Sequence, residues 1–182
     1  MKTDLIEIQL NSEIMADGLL LKAWRDEVRL PNGKTAVREY LRHPGAVVMI
    51  PVFPNGDTML VKQFRYPLRQ TFIELPAGKL DGDEPIEVAA RRELIEEIGY
   101  EPLRLEKIAE FFPCIGYSNE KMWLFIANDL KAATLKPDHD EFLEIMRLPF
   151  SEAVSMALHG QITDMKTICG LLLGRQYLEK LA

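Results

Sequence analysis

Glu93, Glu96 and Glu97 fall within five residues of one another in the stretch RRELIEEIGY, Arg91 to Tyr100. Around them Ile86, Ala90, Leu94 and Ile98 recur in steps of four, which predicts an amphipathic helix with Pro85 at its first position and Gly99 as its stop. Residues three and four apart are neighbours on a helix, so the carboxylates crowd one another at roughly 0.2–0.5 kcal/mol per like-charge pair. The macrodipole adds to the penalty, because anions are unfavourable near a helix C-terminus. Two chemistries answer to the pattern. One is a solvated charged face, with Arg91 and Arg92 as partial counter-charges and Arg92 four residues before Glu96. The other is a site for a hard divalent cation, since Mg2+ takes carboxylate oxygens together with waters and substrate phosphates. Composition and spacing alone leave both open.

The elements that must position these groups are strands first. Over residues 1–45, LIEIQL, LLLKAWRDEVRL and TAVREYL alternate as strands do, and Asn32-Gly33 marks a hairpin. GAVVMIPVF reads as a buried strand, PNGD as a tight turn, TMLVKQFRY as the returning strand and TFIELPAG as a short strand ending at Pro76. Beyond the carboxylate helix come the strand LEKIAEFF, the loop PCIGYSNE, the strand KMWLFIAND, the polar loop LKPDHDE and the strand FLEIMRLP. Two helices close the sequence, one capped by Ser151 and stopped by Gly160, the other within DMKTICGLLLGRQYLEKLA. This order predicts an α/β (α+β) fold: a mixed β-sheet sandwiched between helices over 46–182, with an N-terminal antiparallel β-extension over 1–45.

A length of 182 residues suits one compact domain with a small appendage. The formal net charge of -6 argues against a general nucleic-acid surface, which would need a basic patch. An acidic protein still binds phosphates when a cation mediates. Cys114 and Cys169 form neither a metal-ligand pattern nor a disulfide framework, and are expected as buried or inert thiols of a reducing compartment. The first residues, MKTDLIEIQL, lack the apolar core of a signal peptide, and no apolar run approaches the roughly 18 residues that span a membrane. A soluble cytoplasmic protein is the expectation.

GKLDGDEPIEVAARRELIEEIGY, Gly78 to Tyr100, resembles the Nudix box: Gly, five residues, Glu, seven residues, Arg-Glu-aliphatic-any-Glu-Glu-any-Gly-aliphatic. Gly78, Glu84, Arg92, Glu93, Leu94, Glu96, Glu97 and Gly99 fall in register; only Tyr100 departs, where an aliphatic residue is usual. The resemblance implies a Nudix fold whose box is a loop–helix–loop. It also implies hydrolysis of a nucleoside diphosphate linked to another group, with two to three Mg2+ or Mn2+ ions. It assigns Glu93, Glu96, Glu97 and the main-chain carbonyl of Ala77 to the metals, with Glu96 and Glu97 thereby part of the catalytic set. Arg92 then orients the glutamates, Gly78 and Gly82 let the loop turn, Glu84 braces the loop–helix junction, and Gly99 ends the helix.

The flanks resemble the branch that hydrolyses ADP-ribose and other nucleoside diphosphate sugars. Gln63-Phe64-Arg65 and Glu74-Leu75-Pro76-Ala77-Gly78 match that branch, as do Pro113, Gly116, Ser118 and Glu120 of the downstream loop, where Ile115 replaces a second proline. Arg65 is the candidate for the diphosphate, because guanidinium contacts phosphate through two bonds at once. Glu74 would accept from base or ribose. Arg38, with Glu39 and Arg42, would line a base pocket, and Gly116, Ser118 and Glu120 the sugar loop. Each has a plainer reading as surface charge or turn, and Trp24 has one as core. The water-activating base is assigned to Glu141, with Asp140 and Asp138 as alternates and a solvated acidic loop as the plain reading; His139 is read as a surface residue. The N-terminal strands, long for a bare Nudix core, point to a homodimer. Two other functions compete: hydrolysis of nucleoside triphosphates or dinucleoside polyphosphates, and ADP-ribose sensing without hydrolysis. The flanks argue against the first and the intact glutamates against the second.

Overall fold

The computed structural model describes residues 4–19, 21–134 and 142–180. The chain forms two compact units, Met1–Pro44 with Cys114–Lys121, and Gly45–Pro113 with Met122–Ala182.

In the smaller unit β1 (Ile8–Asp17), β2 (Lys22–Arg29) and β3 (Thr35–Arg42) form an antiparallel sheet in that order. The Asn32-Gly33 turn closes the β2–β3 hairpin, with the Leu30 N–H donating to the Lys34 carbonyl at 2.8 Å. Segment 114–121 adds to the end of β3: the Leu41 N–H donates to the Tyr117 carbonyl at 2.8 Å, and Leu41 and Ser118 form a parallel bridge.

The larger unit carries two sheets. One is antiparallel, β10 (Leu143–Pro149), β5 (Asp57–Arg65), β6 (Gln70–Glu74). The other is mixed and runs β7 (Ala77–Lys79), β4 (Ala46–Pro51), β9 (Met122–Ala132), β8 (Tyr100–Phe111), with β4 and β9 parallel. Its helices are α1 (Ile86–Ile98), α2 (Phe150–Leu158) and α3 (Met165–Glu179). All of β4 is buried, and its alternation divides the core in two. Val47 and Met49 join Ala89, Ala90, Leu94 and Ile98 of α1, whereas Val48 and Ile50 join Ala153 of α2 and Leu171 of α3. The mixed sheet is thus sandwiched between helices, as the pattern predicts. Each side chain as buried as Leu94 contributes about 1.5–3 kcal/mol of transfer free energy.

Several local expectations shift. TFIELPAG is two strands, because β6 pairs with β5 while β7 pairs with β4, and the Pro76 carbonyl at the break accepts from the Met49 N–H at 2.9 Å. Pro85 is the N-cap of α1 in extended conformation and not its first helical residue. Ser151 lies within the first turn of α2, whose cap is Pro149, and His159 precedes Gly160 at its end. Cys169 is exposed and Cys114 partly so; both thiols are free. No helix among the described residues is long and apolar enough to cross a membrane.

Candidate active site

α1 carries the carboxylates, and its ends are set by local chemistry. Pro85 pre-sets the entry, and Gly99 adopts the left-handed φ of 70° that lets its N–H turn back onto the Ile95 carbonyl at 3.1 Å. The apolar stripe faces the core, and Glu93 and Glu97 are buried on the side that meets β7. Glu97 Oε2 accepts the Ala77 N–H at 3.0 Å. Glu93 lies against Gly78 so closely that a Cβ there would stand 1.8 Å from the Glu93 Cδ. A side chain at that position would therefore displace the Glu93 carboxylate.

Arg92 gathers the acidic groups. Its Nη1 donates to Glu93 Oε1 at 2.8 Å and Glu96 Oε2 at 2.9 Å. Its Nη2 donates to Glu84 Oε1 at 2.7 Å and the Lys79 carbonyl at 3.1 Å, and its Nε reaches Glu84 Oε2 at 3.4 Å. A guanidinium has five N–H donors, so these acceptors use all of them and leave none for a ligand. The Glu84 bond, opposed by burial and reinforced by Glu93 and Glu96, holds the Arg92 pKa above its ordinary value. The same bond holds the Glu84 carboxyl below the usual carboxylate range, and Glu84 Oε1 also accepts the Asp81 N–H at 2.8 Å. Glu84 thus ties loop to helix.

Arg65 and Glu74 are placed together. Arg65 Nε and Nη2 donate to the two Glu74 oxygens at 2.7 Å each, a bidentate pair between β5 and β6. Glu74 is buried, which removes its plain reading as an exposed strand residue. Burial pushes its carboxyl up, but Arg65 and Lys166 outweigh that and hold it below the ordinary value. The Glu74 bond holds Arg65 above its ordinary pKa against burial, and Glu97 and Asp164 add to the effect.

The helix α3 falls where the sequence predicts one, but the contacts of its first turn were missed. Lys166 Nζ donates to Glu74 Oε2 and, at 3.0 Å, to Asp164 Oδ2. Asp164 caps α3 through the Thr167 N–H at 3.0 Å, and Thr167 Oγ1 accepts the Leu75 N–H at 2.8 Å. TDMKT shows a helix cap, but nothing in it names a partner on β6.

In the smaller unit, Arg38 pairs with Glu7 (Nε to Oε2, 2.8 Å), and Glu39 accepts from Arg25 at 2.8 Å. The Arg42 guanidinium lies 3.6 Å above the Trp24 ring. In the loop, Ser118 Oγ accepts the Glu120 N–H at 3.1 Å, Glu120 stands 3.7 Å from His43 Nδ1, and a Cβ at Gly116 would meet nothing within 4 Å. Glu141, Asp140, Asp138 and His139 lie outside the described residues.

The donor chemistry of α1 fits a hard divalent cation: oxygen donors only, backed by a glycine cradle that a Cβ would fill. Among the described residues no three acidic, histidine or cysteine side chains are arranged so as to hold a metal ion by themselves. An ion here would need main-chain, water or phosphate oxygens as well, which is how Mg2+ is ordinarily held.

The family model described as NUDIX domain matches residues 42–168. An ADP-ribose pyrophosphatase of Bacillus subtilis (strain 168) is 37% identical over 175 residues, 95% of this chain and 92% of that protein. A methanol dehydrogenase activator of Bacillus methanolicus is equally similar, 37% over the same shares of each chain. The crystal structure of an ADP compounds hydrolase shares the fold, with a TM-score of 0.85, 22% identity, and coverage of 97% of this chain and 96% of that one. With the domain model spanning well over half of the sequence and relatives matching almost end to end, the chain belongs to the Nudix family.

Proposed function

We propose that this protein hydrolyses the pyrophosphate bond of nucleoside diphosphate sugars, with ADP-ribose the favoured substrate, giving a nucleoside monophosphate and a sugar phosphate. The observation that carries the reading is that one short segment serves both groups: Glu74 holds the Arg65 guanidinium through two bonds, and three residues on the Ala77 N–H holds Glu97 of α1. A diphosphate needs both cation-binding oxygens and a guanidinium, and the two are found together here. The near full-length similarity to the B. subtilis protein named an ADP-ribose pyrophosphatase supports the substrate class.

In this reading Glu93, Glu96, Glu97 and the Ala77 carbonyl hold two to three Mg2+ or Mn2+ ions. When bound, such ions lower the pKa of a water and offset phosphoryl charge. Arg92, with all its donors committed, fixes the glutamates; it does not touch substrate. Arg65 turns its remaining Nη1 edge to the diphosphate while Glu74 fixes the guanidinium plane. Glu141, or failing it Asp140 or Asp138, takes the proton of the attacking water. The extension over 1–45, with Arg38, contributes to base binding and to a homodimer, while Gly116, Ser118 and Glu120 contact the sugar. The reaction belongs to the cytoplasm. A panel of nucleoside diphosphate sugars, nucleoside triphosphates and dinucleoside polyphosphates, assayed with Mg2+ in oxygen-18 water, tests this. ADP-ribose should lead, and the label identifies the phosphorus attacked; preferred turnover of a triphosphate would overturn the substrate class.

A further inference from the structure

We infer that Lys166, at the start of α3, is a positioning residue for diphosphate binding: it offsets the Glu74 and Asp164 carboxylates so that Arg65 keeps its charge for the substrate. The inference rests on the pyrophosphatase reading. Lysine is almost never buried unless paired, and the Lys166 side chain is only 11% exposed. Its ammonium donates to Glu74 Oε2, the oxygen that Arg65 Nη2 also uses, and to Asp164 Oδ2 at 3.0 Å. Arg65, Lys166, Glu74 and Asp164 thus carry two positive and two negative charges and are neutral as a set. Glu97 also acts on Arg65. Without Lys166, Arg65 would be the single cation of the set facing Glu74, Asp164 and Glu97. A diphosphate would then approach a surround one charge more negative than in the wild type. α3 is held independently to Leu75, the residue after β6, by the Thr167–Leu75 bond of 2.8 Å, so the charge of Lys166 is separable from the docking of the helix.

The test uses the full-length protein and a methylene-bridged, non-hydrolysable ADP-ribose analogue, with binding measured by calorimetry and kcat and KM measured on ADP-ribose. Lys166→Met should weaken analogue binding about tenfold, equivalent to about 1.4 kcal/mol, and raise KM while kcat stays within about threefold. Lys166→Arg should bind as wild type does. Asp164→Asn keeps a good helix cap and removes one negative charge, so alone it should tighten binding. Combined with Lys166→Met, it should restore neutrality and most of the lost affinity. A purely structural lysine would not be rescued by Asp164→Asn. The inference is overturned if Lys166→Met binds as wild type does, if the double variant is no better than Lys166→Met, or if Asp164→Asn alone weakens binding. The last outcome needs no folded Lys166→Met protein. Should the wild type neither bind the analogue nor hydrolyse ADP-ribose, the pyrophosphatase reading falls, and this inference falls with it.

Discussion

Replacing Gly78 with alanine separates what the fold needs from what the site needs. The added Cβ would lie 1.8 Å from Glu93 Cδ, 1.9 Å from Oε1 and 2.3 Å from Oε2, and no other atom ranks among its three nearest. Ordinary carbon contacts are near 3.5 Å, so the carboxylate must retreat by about 1.5–2 Å. Because the obstruction is the far end of a flexible side chain, it can do so without moving backbone. The stability loss is then the Arg92–Glu93 bond and some rotamer strain, together about 1–2 kcal/mol. For a chain of this size that lowers Tm by roughly 2–8 °C. Activity should suffer far more, since a 1 Å misplacement of a positioned group is worth about 100-fold. Scanning calorimetry and kcat at saturating Mg2+ on the same Gly78→Ala preparation measure both. A kcat within about threefold of wild type would refute the argument that the glycine exists to seat Glu93. Outright unfolding would refute the argument that the clash is absorbed by a side chain.

Three further outcomes are expected. Glu141→Gln should lower turnover by about 10²–10⁴-fold, the usual range for losing a general base, while the methylene analogue still binds; unchanged turnover moves the base to Asp140 or Asp138. Because the Glu74 carboxyl is held below its ordinary pKa, the stability it provides is present above the unfolded carboxylate value, about 4.3, and is lost as pH falls through the folded value. Urea unfolding at pH 7 and below pH 4 should therefore show a smaller acid loss for Glu74→Gln than for wild type; an equal loss removes Glu74 from the acid response. Light scattering on a calibrated column should give twice the 20.8 kDa chain mass, and a monomer would end the homodimer reading.

What the sequence made legible was local or periodic. Ile86, Ala90, Leu94 and Ile98 announce α1, and all but the partly buried Ile86 lie fully in the core. Glu84 and Arg92 are eight residues apart, close enough for the motif to carry their pairing. The strand end near Pro76 was legible but the new strand β7 beyond it was not, because that depends on which strand pairs with which, β5 for β6 and β4 for β7. Lys166 was invisible for the same reason: its partner Glu74 is 92 residues away, and only the docking of α3 beside β6 brings them together. The approach of Glu93 to Gly78 is likewise tertiary; the motif prints both residues and is silent on their contact.

Burial bears on the two chemistries that the glutamate run left open. A solvated charged face keeps its carboxylates in water, yet Glu93 and Glu97 are only 8% and 4% exposed. Burying carboxylates is unfavourable unless each is paired, and each of the three glutamates has one oxygen anchored by the protein. Glu93 Oε1 and Glu96 Oε2 are held by Arg92, and Glu97 Oε2 by the Ala77 N–H. Anchoring one oxygen fixes the plane of a carboxylate and the direction of the other oxygen, which is how supporting groups orient metal ligands. A fully donated arginine is therefore better suited to this post than a lysine, whose point charge cannot hold three carboxylates in set orientations. The repulsion that made the helix look costly is thus converted into orientation by a single guanidinium and one backbone amide.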